Sequence, residues 1–388
     1  MRIGKWHVLL VSFAVVFVAY GIRYAFGLLF PEMMGTLNLS NSEMGFLYTS
    51  FVLTYSFLSI FIGFLTDLKG PRKTLLLFLP FLGLGTALIG LSRGLYTGML
   101  FFSLAGVGAS VSWTTIAYWV QDQYEERRGF TLGVLQIGSN LGYGVLGISL
   151  PIVSAFIGWR GCWILIGSLS LLLLPLIFFT SSSERSNNKS ENSLSTHIKG
   201  MKEVVKKSDF LFGGLSYLLA SFALMVPMTF MKAYAEMELG YPSGVSSSLF
   251  SVIAFLAIVG ALLLSPLSDK VGRKTMIMLS NSIMALGLAG LGFLSPSLAW
   301  LIGWTLAVGL SYGATWPLYG ALTKDFFEWH HLGTVLGAWT IFFGIGYLLS
   351  PFLGGIIVDT VGSYRPVFII ASVSSLVSIP SVWMVGKD

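Results

Sequence analysis

The chain has 388 residues, of which hydrophobic types make up 55% and Asp, Glu, Lys and Arg together only 10%. Soluble domains carry about 25% charged residues, so this chain could not coat its surface for water; a soluble enzyme, a nucleic-acid binder and a disordered scaffold are excluded. A single cysteine, Cys162, rules out an intramolecular disulfide or a cysteine metal site. The four histidines lie outside the most apolar stretches, so neither metal nor cofactor is expected.

Apolar runs near 20 residues, long enough to cross a bilayer as helices, occur twelve times: roughly 7–29, 43–66, 74–92, 97–120, 129–156, 161–180, 210–235, 244–267, 275–293, 297–320, 333–358 and 364–385. Their continuous apolarity excludes a barrel, whose strands alternate over about 10 residues. Arg2 and Lys5 precede a first run too long for a leader peptide, and no small-residue cleavage site follows, so it reads as a retained helix. That run carries Arg23, the one charge set well inside a span, about two-thirds of the way along. An ionisable residue in lipid is costly and marks a functional site by default. With Tyr20 and Tyr24 near its face, the guanidinium can hold a carboxylate through two parallel hydrogen bonds. The alternative is snorkelling to the outer headgroups, with Tyr24 as an interfacial aromatic.

The loop after the second run reads Gly63-Phe-Leu-Thr-Asp67-Leu-Lys-Gly70-Pro-Arg72-Lys73. Gly70 permits the tight turn that two closely joined helices need. Asp67, with Arg72 and Lys73 close behind, can latch one bundle to the other; for the basic residues the alternative is topological anchoring, which does not use acids. Trp113 follows in the fourth run, and Gln136 and Asn140 lie one turn apart in the fifth.

Residues 181–209 are the one long polar segment. Its start reads as a flexible linker. Further on, Ile198, Met201, Val204 and Val205 share a helical face, with Lys199, Lys202, Lys206 and Lys207 elsewhere. That pattern fits an interfacial helix on an anionic leaflet, or else a solvated charge run. The segment separates an N-terminal six-helix bundle (1–180) from a C-terminal one (210–388). In the second half Lys232, near the outer end of the seventh run, is a second candidate cation unless it pairs with Glu236 four residues on. Tyr312, Trp316 and Tyr319 fall in the tenth run.

The halves repeat. The loop Ser265-Pro-Leu-Ser-Asp269-Lys-Val-Gly272-Arg273-Lys274 echoes the first. Trp113 and Asp122 recur as Trp316 and Asp325, and Gly142-Tyr143 as Gly346-Tyr347. Parallel repeats of this kind describe a transporter built from two bundles.

The pattern Gly63-x3-Asp67-x2-Gly70-x-Arg72-Lys73 matches the loop signature of the major facilitator superfamily, and the second loop repeats it with Ser265 in place of the first Gly. The chain resembles that superfamily over its whole length. The resemblance implies an all-α membrane protein of twelve transmembrane helices in two pseudo-symmetric bundles. It also implies spans one, four, seven and ten lining the pathway, and secondary active or facilitative transport of a small solute. Tyr20-Gly-Ile-Arg-Tyr-Ala-Phe-Gly27-Leu-Leu-Phe30-Pro31 and the turn Gly158-Trp-Arg-Gly-Cys-Trp163 are similar to the monocarboxylate and oxalate/formate porters, which implies an organic anion such as a monocarboxylate. Tyr20 stands where those porters carry an acid, and 244–267 lacks their basic residue.

The candidate substrate site is therefore Arg23, Tyr20, Tyr24, Trp113, Gln136, Asn140, Lys232, Tyr312 and Trp316. The candidate latch is Asp67, Gly70, Arg72, Lys73, Asp269, Gly272 and Arg273. A drug-type efflux carrier for hydrophobic or cationic solutes is the competing reading; it calls for a buried carboxylate, and the acidic residues fall in loops or at span ends. A membrane sensor needs a larger soluble domain, and no enzyme or ATPase constellation, such as G-x4-G-K-[ST], occurs. The expected partners are an anionic small molecule, the bilayer and, as an option, a co-transported proton, with no nucleic acid.

With the N-terminus inside, cytoplasmic segments hold 18 of the 23 Lys and Arg and the outer loops 4. This places both termini and the linker on the cytoplasmic side of the plasma (inner) membrane. In a Cys162→Ser background, an impermeant maleimide added to intact cells should label Ser295→Cys and spare Ser186→Cys. The opposite pattern would reverse the topology.

Overall fold

Lipid offers a backbone no hydrogen-bond partners, so each span must satisfy its own amides as a helix. The computed structural model describes residues 3–124, 128–180, 207–293, 297–326 and 332–386. Most of the linker, with its expected interfacial helix, lies outside them, as does the side chain of Asp67. Helices fill the described residues: α1 Ile3–Leu37, α2 Asn41–Lys69, α3 Pro71–Ile89, α4 Leu95–Ala109, α5 Thr114–Gln123, α6 Arg128–Leu171 and α7 Leu173–Phe179. After the linker come α8 Ser208–Ala233, α9 Ser243–Val271, α10 Arg273–Phe293, α11 Leu298–Phe326, α12 Leu332–Val361 and α13 Arg365–Met384.

Among the described residues ten helical stretches are long and apolar enough to cross a membrane. One of them, Thr131–Phe179, is broken at Gly158 (φ 66°, ψ 171°) and makes two passes. The 29 residues of α2 complete the twelve. Three details depart from the sequence reading. The first helix runs through Pro31 and Glu32 to Leu37, past the expected span edge near residue 29. The fourth pass is interrupted: α4 stops at Ala109, and a turn over Ser110–Trp113 precedes α5. Lys232, expected near the outer end of the seventh run, lies inside the longer pass Ser208–Glu238 and is 1% exposed.

The chain divides into two compact units, Met1–Asn187 with Ala235–Ser251, and Asn188–Tyr234 with Val252–Asp388. The segment 235–251, which the sequence assigns to the second bundle, groups with the first; Ser251 Oγ donates to the Gly144 carbonyl at 2.6 Å. Within the first unit α1 packs on α6, and α3 packs on α4 and α6. Within the second, α8 packs on α12, and α10 packs on α11 and α13. The pairing of passes one with five, three with four and three with six is thus repeated. At equivalent crossings the backbones touch: a Cβ on Gly142 would strike the Phe17 carbonyl, and one on Gly346 the Leu218 carbonyl. Small residues permit such close packing in lipid.

The two loop motifs build the same turn. Gly70 (φ 80°) and Gly272 (φ 97°) sit where a side chain would be strained, and each donates its amide to the carbonyl four residues earlier, Thr66 and Ser268, at 2.9 Å. Two residues after each glycine a cation closes the last helix of its unit. Arg72 donates to the Phe178 carbonyl at the end of α7, its guanidinium 5.6 Å from the Phe178 ring. Lys274 donates to the Trp383 carbonyl at 3.1 Å and to that of Val385 at the end of α13. Positive charge at a helix C-terminus is favoured by the helix dipole. Arg273 bridges Asp269 at 3.0 Å and Asp325 at 3.1 Å, tying α9 and α10 to α11. In this structure Arg72, Asp269 and Arg273 are thus engaged within their own units, and Lys73 is exposed.

Gly142→Val should lower the apparent Tm in detergent, because overpacking costs about 1–3 kcal/mol and the obstructing atom is backbone. Gly133→Ala, with nothing within 4 Å of the added carbon, should leave Tm unchanged. Equal Tm for wild type and Gly142→Val would contradict this packing.

Candidate functional site

Arg23 is 8% exposed. It lies 17 residues after Trp6 and 14 before Leu37, close to the middle of the pass Trp6–Leu37, not the two-thirds position expected from sequence. Helix α2 holds it from two directions. Tyr48 donates its hydroxyl to the Arg23 carbonyl at 3.0 Å. Two turns later the Tyr55 ring lies 4.5 Å from the guanidinium carbon, and the Tyr20 ring of α1 lies 5.7 Å away. Tyr48, Phe51 and Tyr55 form a stacked ladder with centroids 5.8 and 6.4 Å apart. A desolvated cation over an aromatic face gains about 0.5–2 kcal/mol, against about 2.5–3.5 kcal/mol for inserting an arginine at a helix centre. The rings offset much of the cost, and an anion would offset more.

A small recess with about 10 Å³ of free interior, room for roughly one water, lies beside the guanidinium. It is lined by Ala19, Tyr20, Arg23, Tyr55, Ala109, Ser112 and Trp113. The interrupted fourth pass supplies the last three. Ser112 closes a turn onto the Ala109 carbonyl at 2.9 Å, and the Trp113 carbonyl then starts α5 by accepting from the Ala117 amide at 2.8 Å.

From this recess a line of side chains runs along the unit. Trp113 meets the edge of Tyr20 with centroids 6.1 Å apart. Tyr20 neighbours Tyr24 at 6.4 Å, and Tyr24 packs on Tyr143 at 4.8 Å. The Tyr143 hydroxyl reaches Asn140 Oδ1 at 3.3 Å, and Gln136 Nε2 donates to the same oxygen at 3.4 Å. Asn140 Nδ2 is buried without a hydrogen-bond partner. The six sequence candidates of the first half, Tyr20, Arg23, Tyr24, Trp113, Gln136 and Asn140, therefore form one connected set. Sequence reasoning missed Tyr55, Ser112 and Tyr143. The aromatic spacing 48, 51, 55 and the repeated Gly-Tyr pair were available signals; nothing in the sequence marked Ser112.

The second unit presents its own aromatic cluster. Trp316 contacts Tyr217 at 5.9 Å and Phe343 at 4.1 Å. Tyr312, 5% exposed, lies one turn earlier on α11. Tyr319 serves a different purpose: its hydroxyl bonds Ser216 Oγ at 2.6 Å and accepts from Asn281 Nδ2 at 3.1 Å, while Asn281 also reaches Ser378 Oγ at 2.7 Å. That network joins four helices inside the bundle. Lys232 lies in the last turn of α8, just before a wide π-type turn, Tyr234–Glu238, that contains Glu236. Glu43, a span-end carboxylate, is engaged in a capping box: its Oε2 accepts from the Ser40 amide at 2.8 Å, and its own amide donates to Ser40 Oγ.

The arrangement provides a cation, hydroxyls and aromatic faces deep in a membrane-spanning bundle. Among known proteins, the sequence profile of the Major Facilitator Superfamily matches residues 12–265 and 213–388. The chain is 24% identical to a probable sulfoacetate transporter, SauU, of Cupriavidus necator, covering 95% of this chain and 91% of that protein. It is also 24% identical to a hexuronate transporter of Bacillus subtilis, over the same shares of the two chains. The fold superposes on the crystal structure of the nucleoside transporter NupG with a TM-score of 0.84 at 13% identity, covering 98% of this chain and all of the other. The two loop turns, the repeated helix pairings and the profile match agree: this chain belongs to the Major Facilitator Superfamily of small-solute transporters.

Proposed function

We propose that the protein carries a small organic anion across the membrane by alternating access, with the anion held at Arg23. The observation that carries this reading is the depth of Arg23. Arg23 is buried, with its guanidinium against the Tyr55 and Tyr20 rings inside the first unit, an arrangement that favours binding over snorkelling to the outer headgroups. A buried arginine lining a recess is the residue type whose planar fork holds a carboxylate or sulfonate. The names of the two bacterial relatives, a sulfoacetate and a hexuronate transporter, support the same class. In this reading Lys232, Tyr312 and Trp316 are the candidate substrate residues of the second unit. The 18-to-4 distribution of Lys and Arg puts both termini in the cytoplasm. Asp67 is the latch carboxylate that engages and releases during the cycle.

Purified wild type, Arg23→Lys and Arg23→Gln would be titrated with pyruvate, glucuronate and sulfoacetate, following the thermal shift that a bound ligand produces. Arg23→Gln should bind none of them, since an unpaired buried anion costs several kcal/mol. Arg23→Lys keeps charge but loses the fork, and a charge-assisted hydrogen bond of about 1.5–3 kcal/mol corresponds to about tenfold weaker binding or more. Unchanged binding in Arg23→Gln would refute the reading.

Tyr55 tests the aromatic support separately. Tyr55→Phe keeps the ring under the guanidinium and should transport nearly as well as wild type, whereas Tyr55→Leu should lose about 0.5–2 kcal/mol of cation–π stabilisation and transport several-fold more slowly. Equal rates for the two variants would remove Tyr55 from the site.

A further inference from the structure

We infer that the break in the fourth pass, Ser110–Trp113, is a hinge. α5 swings about it while α4 stays fixed to the first unit, and the swing carries Trp113 towards and away from the recess that it lines with Arg23. The inference concerns a moving part of the first unit and holds whichever solute is carried, so it stands apart from the anion reading.

Three observations carry it. First, the two parts of the pass are held differently. α4 is pressed backbone to backbone on both neighbours: a Cβ on Gly106 would strike the Phe51 carbonyl of α2, and one on Gly108 the Leu82 amide of α3. Crossings of this kind hold helices together in lipid. α5 contains no glycine, and where it passes Gly63 of α2 an added Cβ would sit 4.0 Å from Thr114 Cγ2, an ordinary contact. A hydrogen bond between Thr66 Oγ1 and Thr115 Oγ1 at 3.0 Å joins it to α2, and Tyr124 at its far end meets the Trp6 ring edge to face with centroids 6.4 Å apart. Second, the repeat shows why the pass breaks. In the second unit Gly309 and Gly313, seven and three residues before Trp316, lie against the Ile253 and Ala257 carbonyls of α9, and α11 runs unbroken from Leu298 to Phe326. In the first unit Gly106 and Ser110 stand seven and three residues before Trp113. Ser110 has a side chain where Gly313 has none, turned back on the Val107 carbonyl at 2.6 Å, so the close crossing ends a turn early and the helix breaks there. Third, α5 is poorly satisfied in the position observed. Ser112 Oγ before its start, the Trp119 indole N–H within it and the Tyr124 hydroxyl at its end are buried without hydrogen-bond partners among the described residues. Neither α4 nor the whole of α11 has such a group among the described residues. An unpaired buried polar group is costly, and a second position of α5 in which these groups find partners offsets that cost.

The hinge also bears on the size of the recess. As observed it holds roughly one water, so admitting a larger solute requires a wall to move. The wall formed by Ser112 and Trp113 is the one attached to the loosely held helix. α5 has ten residues and is ~15 Å long, so a tilt of about 20°, the size of an ordinary helix kink, moves its end by ~5 Å. Trp113 turns with the hinge, and its edge contact with Tyr20 at 6.1 Å changes first.

The test places nitroxide pairs on the full-length chain in lipid nanodiscs, in a Cys162→Ser background and without ligand, and reads their separations by electron paramagnetic resonance. Lys69→Cys with Gln123→Cys spans the ends of α2 and α5, and Phe46→Cys with Leu100→Cys spans α2 and α4. The first pair should show two distances that differ by ~5 Å and the second pair one. A single distance in the first pair overturns the inference, since α5 is then as fixed as α4. Two distances in both pairs overturn it as well, because the unit then loosens as a whole. Ser110→Gly gives the fourth pass the glycine that the tenth has, and in that variant the first pair should lose its second distance. Two distances persisting in folded Ser110→Gly overturn the assignment of the hinge to Ser110. The two pairs without that substitution decide between a hinge and a fixed helix even if Ser110→Gly does not fold.

Discussion

A guanidinium at the middle of a membrane-spanning helix cannot be left to lipid, and the first unit is arranged around that constraint. The second helix supplies Tyr48 to the Arg23 carbonyl and Tyr55 to its side chain. The fourth pass is broken beside it, bringing Ser112 and Trp113 to the same recess. The fifth pass closes the far side through Tyr143, packed on Tyr24, and through the Asn140 amide. Backbone packing makes this convergence possible. Because Gly142 carries no side chain, α1 and α6 approach until the Phe17 carbonyl fills the space where a Cβ would stand, and the aromatic line then lies in register. The chain from sequence to site therefore runs through one glycine crossing and one broken helix.

The loop motifs show how the same chemistry is used twice. Arg72 and Lys274 stand two residues after their turn glycines, and each donates to the terminal carbonyls of the last helix in its unit. Closing a helix C-terminus with a cation is a local electrostatic gain, and it fixes the ends of α7 and α13 to the turns that start α3 and α10. Arg273 adds a connection to α11 through Asp325. Each unit is thereby stiffened at its motif end, as a carrier working by movement of whole bundles requires.

Much of this was legible in the sequence. Twelve continuous apolar runs, the linker and the repeated loop motif specify the fold because hydrophobic length and turn chemistry are local properties. The candidate set around Arg23 was legible because a charge in an apolar run is rare and aromatic residues at helical spacing share a face. Three things were not. The length of the first helix was not legible because Pro31 and Glu32 read as a helix end, whereas the helix continues to Leu37; proline is tolerated in spans where neighbours satisfy the freed backbone groups. The break at Ser110–Trp113 has no proline and a composition that a helix accepts, so packing decides it. The spacing 48, 51, 55 marks an aromatic face on α2, but that this face meets Arg23 is a contact between helices that spacing does not show.

The central claim is that negative charge is what the recess recognises. The most direct measurement compares binding of each acid with its neutral amide, glucuronate against glucuronamide and pyruvate against pyruvamide, on purified wild-type protein by thermal shift. The account predicts that at least one acid stabilises the protein while its amide, nearly equal in size but uncharged and with an NH2 donor in place of one acceptor oxygen, does not. Equal stabilisation by acid and amide would contradict it and make the recess a site for uncharged solutes.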